Sequence, residues 1–110
     1  MKPGLEAEVN TLHASVCAAL ADPKRIMILY ELADGPHNVT QLSEAIAMPQ
    51  STTSRHLKVL REQGMVVATR QGMKVEYALG DRRVIEALDL LRGVLRNHLS
   101  RRADLAEAIA

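Results

Sequence analysis

The stretch from Thr40 to Leu79 constrains this chain most. It holds a short apolar-periodic segment, a break at Met48-Pro49-Gln50, a second periodic segment, and two β-favouring runs around a glycine. Helical spacing turns Leu42, Ala45 and Ile46 inward in the first segment, and Thr53, Leu57 and Leu60 in the second, which ends at Gly64. Val66, Val67, Thr69, Val75 and Tyr77 then favour strand, and Arg70-Gln71-Gly72-Met73-Lys74 supplies a turn between the two arms.

The flanks are helical. Leu5, Val9, Leu12, Val16 and Leu20 recur at spacings of four and three, which predicts an amphipathic helix over 5–20. Asp22 as a cap and Pro23 in the first turn start a second helix to Ala33, with Ile26, Leu29 and Ala33 inward, and Gly35-Pro36 stops it. Asp81 caps a last helix carrying Val84, Leu88, Leu91, Leu95 and Leu99, which is expected to fray past Arg102. Without Phe or Trp, the core must be aliphatic, which suits packed helices. The expectation is one domain over 1–110, mainly α with a small β-hairpin, in the order of a winged helix-turn-helix.

Total charge is only +1, yet Arg55, Lys58, Arg61, Arg70 and Lys74 face a single acid, Glu62, between Ser51 and Lys74. A basic segment on a nearly neutral chain is the footprint of a localised anionic partner. With Thr53, Leu57 and Leu60 inward, Ser51, Thr52, Arg55, Lys58 and Glu62 lie on the opposite face of their helix. Short hydroxyls at a helix start allow close approach to phosphate, which the unpaired N–H groups and the dipole there also favour. Gln50 has the amide that matches adenine, and Arg55 the fork that matches guanine. Arg70 and Lys74 would sit at the hairpin tip, where a wing can lie against the backbone of double-stranded DNA. A winged-helix dimerisation module that does not touch DNA is the alternative, and these cations weigh against it.

No catalytic spacing, phosphate loop or paired carboxylate points to an enzyme, and no cofactor is implied. The N-terminus has no long apolar run, and Cys17 is the single cysteine, so no secretion signal, membrane span or internal disulfide is expected and the reading is cytoplasmic.

The segments "ALADPKRIMILYEL", "VTQLSEAIAMPQSTTSRHLKVLREQGMV" and "RQGMKVEYAL" resemble the ArsR-type (ArsR/SmtB) winged-helix transcriptional regulators over about residues 16 to 80. The resemblance implies a homodimer joined by its first and last helices, which represses by binding an inverted repeat and leaves DNA when an inducer binds. It implies a recognition helix from Gln50 to Gln63 whose DNA-contacting residues are Gln50, Ser51, Thr52, Ser54, Arg55 and His56. His56 has a second reading, as an anchor of that helix. Leu12, Val16, Leu88, Leu91 and Leu95 are the expected interface residues.

The resemblance fails at its metal positions. Where relatives carry a Cys-Val-Cys thiolate pair, this chain has Asn38, Val39 and Thr40. Where others place Asp-x-His on the last helix, Asp81 is followed by Arg83, with Val94 and Asn97 further on, and arginine cannot ligate a metal. His13 and Cys17, four apart on one helix, with His98 on the last, form a weaker alternative metal set. The preferred expectation is no metal, and a Cys17 thiol made inert by burial among Leu12, Val16 and Leu20. His37 carries no signal, and Met27, Met48, Met65 and Met73 read as core filler and loop.

Overall fold

A computed structural model describes residues 1–109. α1 (Pro3–Leu12) continues through a π-helical turn (His13–Cys17) into α2 (Ala18–Leu20), so the first helix is one rod with a widened turn. α3 (Pro23–Ala33) follows, started by Asp22, whose carboxylate accepts from the Lys24 N–H at 2.8 Å. A reciprocal capping box opens α4 (Val39–Ala45). The Gln41 N–H donates to Asn38 Oδ1 at 2.8 Å, and the Asn38 N–H donates to Gln41 Oε1 at 2.9 Å.

α5 (Gln50–Glu62) buries Thr53, Leu57 and Leu60, the seam expected from spacing. Gly64, at φ +72°, reverses the chain into β1 (Val66–Gln71), and β2 (Lys74–Leu79) returns antiparallel, pairing Val66 with Leu79 through Gln71 with Lys74. Gly72-Met73 is the two-residue turn, with Gly72 at φ +61°. α6 (Arg83–Ile109) closes the order. The core is aliphatic: Ile28, Leu29 and Leu32 of α3 meet Leu42, Leu57, Leu60, Val66, Ile85 and Leu88.

Several expectations need correction. The inward side of α3 is Ile28, Leu29 and Leu32, while Ile26 and Ala33 are only half-buried. Ala45 of α4 is exposed and Ser43 is buried instead. Ser43 can go inside because its hydroxyl donates to the Val39 carbonyl at 2.7 Å and lies 3.0 Å from that of Thr53, which reaches the Pro49 carbonyl at 3.0 Å. α6 does not fray past Arg102 but runs to Ile109, since the residues after Arg102 are mostly the good helix formers Ala, Leu and Glu and include no Gly or Pro. His37, read as a silent loop residue, forms a β-bridge with Tyr77: each N–H donates to the other's carbonyl, at 3.0 and 2.8 Å. That bridge ties the hairpin to the loop before α4 and so fixes the wing relative to the helical pair.

Candidate nucleic-acid interface

α5 presents its polar face beside the wing. Burial of Thr53, Leu57 and Leu60 leaves Gln50, Ser51, Ser54, Arg55 and Lys58 exposed and Thr52 and His56 half-buried. The residue before the helix is Pro49, which supplies no side-chain cap, so the first-turn N–H groups point outward unpaired by a side chain. Such a turn favours an anion.

Two threonines hold the two long polar side chains. The Gln50 Nε2 donates to Thr40 Oγ1 at 3.1 Å, and an Arg55 terminal nitrogen donates to Thr52 Oγ1 at 3.3 Å. The run of hydroxyls therefore divides its work. Thr53 binds inward, Thr52 braces Arg55, and Ser51 and Ser54 remain open to a partner. At the wing tip Arg70 Nε donates to the Gly72 carbonyl at 3.4 Å, and Lys74 is exposed beside it.

Sequence reasoning missed Arg25. Its Nε donates to the Ala19 carbonyl at 2.6 Å, one terminal nitrogen donates to the Ala18 carbonyl at 3.3 Å, and the other reaches His56 Nδ1 at 3.3 Å. Arginine only donates, so Nδ1 is the acceptor and the imidazole proton belongs on Nε2. The contact gives His56 an anchoring role between the end of the first helix and α5. The signal available was an arginine three residues after a cap, which is common and names no distant partner.

Among the residues expected at a subunit interface, Leu12 is exposed, Val16 half-buried, and Leu91 and Leu95 are 62% and 54% exposed. Leu88 departs from them: it is 6% exposed and belongs to the chain's own core, leaving little surface for a partner. Val16, Leu20, Val84 and Leu91 line an open apolar cavity of about 320 Å³ between the first and last helices. The last helix is fastened to α3 by Tyr30, whose hydroxyl donates to Asp89 at 2.6 Å, with Arg92 5.2 Å above the Tyr30 ring and 3.3 Å from Asp89.

The metal alternative does not assemble. Among the described residues no three His, Cys, Asp or Glu side chains come together, so His13, Cys17 and His98 form no site within one chain. Asp81 is engaged by Arg83 at 2.7 Å, and the guanidinium's hydrogen bonds hold its carboxyl down at about 2. The Arg83 N–H also donates to Asp81 at 2.9 Å, so Asp81 serves the start of α6. Cys17 is exposed, contrary to the burial expected among Leu12, Val16 and Leu20. The reason is that α1 and the π-helical turn bury no residue against the body of the chain.

Comparison with known proteins places this geometry. Residues 22–67 match the sequence model of the bacterial regulatory proteins of the arsR family. The chain is 46% identical over 85 residues to the HTH-type transcriptional regulator NmtR of Mycobacterium tuberculosis, spanning 77% of this chain and 71% of that protein. It is 45% identical over 78 residues to the HTH-type transcriptional regulator CmtR of Mycobacterium bovis, spanning 70% of this chain and 66% of that one. In three dimensions it resembles a homodimeric winged helix-turn-helix DNA-binding domain from Mycobacterium bovis, with a TM-score of 0.78 and 30% identity, covering 91% of this chain and 93% of the other.

Proposed function

The chain belongs to the ArsR family of bacterial regulatory proteins, and we propose that it works as a homodimeric repressor on an inverted-repeat operator. Membership makes it a winged helix-turn-helix, DNA-binding transcriptional regulator. The single domain 1–110 then comprises a DNA-reading unit from α3 to β2 between two dimerisation helices. Regulation rather than catalysis is its task, and an inducer releases it from DNA. No helix among the described residues is long and apolar enough to cross a membrane, and a regulator of bacterial transcription acts in the cytoplasm, where the DNA is.

The observation that carries this reading is the exposed face of α5. Gln50 and Arg55 are braced for base edges, Ser51, Thr52 and Ser54 flank an uncapped first turn, and Lys58, Arg70 and Lys74 add charge for the backbone. His56 supports this face through Arg25. A two-fold dimer carries two such faces to successive major grooves.

The experiment is titration of the protein's own upstream DNA at several salt concentrations, with single alanine variants. Arg55→Ala is expected to weaken operator binding by about 1–3 kcal/mol and to relax sequence preference at one position of each half-site. Lys74→Ala is expected to weaken all sequences alike and to reduce the salt slope by about 1. Parent-like binding by both variants would assign DNA to another face.

A further inference from the structure

We infer that Thr40, which lies outside the recognition helix, is a positioning residue for sequence readout: its hydroxyl sets the Gln50 amide before DNA arrives. The inference rests on the DNA-reading role proposed for α5. Gln50 opens that helix, and its Nε2 crosses the break between α4 and α5 to donate to Thr40 Oγ1 at 3.1 Å. An exposed glutamine is otherwise free to rotate, and a base contact would have to order it.

The chemistry suits readout. A glutamine amide offers two N–H donors and one acceptor oxygen. Thr40 takes one donor, leaving the oxygen and the second N–H, the pair that matches the N6 donor and N7 acceptor of adenine. The backbone that carries Thr40 is held firmly, because the residue lies between Asn38 and Gln41, whose two capping hydrogen bonds fix the first turn of α4. Thr40 also borders the cavity of about 450 Å³ that Lys74 and Val75 of the wing line from the other side. The constraint on Gln50 thus lies on the wing side of the helical pair. Stability gives little reason for threonine here: the residue is exposed, and its hydroxyl has no other side-chain hydrogen bond among the described residues.

The test is selection from a randomised duplex library by the parent, Thr40→Val, Thr40→Ser and Gln50→Ala, followed by affinity measurements on the selected site and its single-base variants. Valine keeps the shape of threonine at an exposed position and removes only the hydroxyl. Thr40→Val is expected to lose about threefold to tenfold of the preference at the base pairs that Gln50→Ala also flattens, a part of what a bidentate contact supplies. Preference elsewhere, affinity for unrelated duplex and the salt slope should stay at parent values, and Thr40→Ser should restore the profile. A Thr40→Val profile equal to the parent's overturns the inference, and so does an equal loss at every position. A serine variant that fails to restore the profile overturns it too. A parent that selects no sequence, or a Gln50→Ala profile equal to the parent's, removes the underlying role of Gln50 and the inference with it.

Discussion

Replacing Leu91 and Leu95 together by glutamate is expected to convert the protein to a monomer and to lower operator affinity by about 100-fold or more. α6 is held to the body of the chain as far as Arg92, yet Leu90, Leu91, Leu95, Leu99 and Leu105 all remain more than half exposed. Leu5, Val9 and Leu12 on α1 are exposed as well. Two apolar faces left open on opposite ends of one sequence are what a two-fold dimer buries. Each leucine covered contributes about 1.5–3 kcal/mol, and a carboxylate in its place adds a desolvation penalty. The DNA effect follows from linkage, since a dimer delivers its second recognition helix at high effective concentration once the first is bound. Sedimentation and operator titration on the same sample check both halves. A double variant that still sediments as a dimer and binds like the parent would place the interface away from α6.

The parts of this fold that were legible in the sequence are those governed by local chemistry. Asp22-Pro23 starts α3, Gly64 ends α5, and Gly72 turns the wing where spacing and backbone preference put them. The phase of α5 was also readable, because charged residues surround Thr53, Leu57 and Leu60 and only one face can go inside. α3 gave no such contrast: Ile26, Met27, Ile28, Leu29 and Leu32 cover most of its circumference, and only its neighbours decide that Ile28 and Leu32 are innermost. Ser43 was unreadable because its acceptors, Val39 and Thr53, are supplied by the fold. Cys17 was misplaced for a related reason. An apolar stripe on a helix does not say whether the chain itself or a second copy will cover it.

The candidate site divides the same way. Residue type and spacing identified α5 and the wing cations, because each carries its own chemistry. The braces were hidden: Thr40 on Gln50, Thr52 on Arg55, and Arg25 on His56 are single hydrogen bonds between side chains whose meeting depends on how the helices cross. Arg25 matters beyond anchoring. It joins the carbonyls that end the first helix to His56 of α5, so it also ties the first helix to the face proposed to read DNA.

Gly80→Ala is expected to destabilise the protein by about 3 kcal/mol or more, at the upper end of what overpacking does. Gly80 follows β2, and its N–H donates to the Met65 carbonyl at 2.9 Å, which draws it against the reversal that ends α5. A Cβ on residue 80 would overlap the Gly64 carbonyl oxygen and stand 3.1 Å from the Gly64 carbonyl carbon. These neighbours are backbone, and the Met65 N–H is bonded to the Leu60 carbonyl at 3.0 Å, so no side chain can swing aside. The methyl must instead push the end of β2 from the end of α5, straining the Val66–Leu79 pair and the start of α6 together. Gly93→Ala makes the same chemical change with the opposite expectation. Its nearest neighbour is the Arg96 side chain at 3.9 Å, and alanine in a helix interior gains about 1 kcal/mol over glycine. Urea unfolding of the two variants beside the parent separates crowding from backbone entropy. Opposite shifts of the midpoint are expected, and a Gly80→Ala midpoint equal to the parent's would mean that the joint between wing and recognition helix yields without strain.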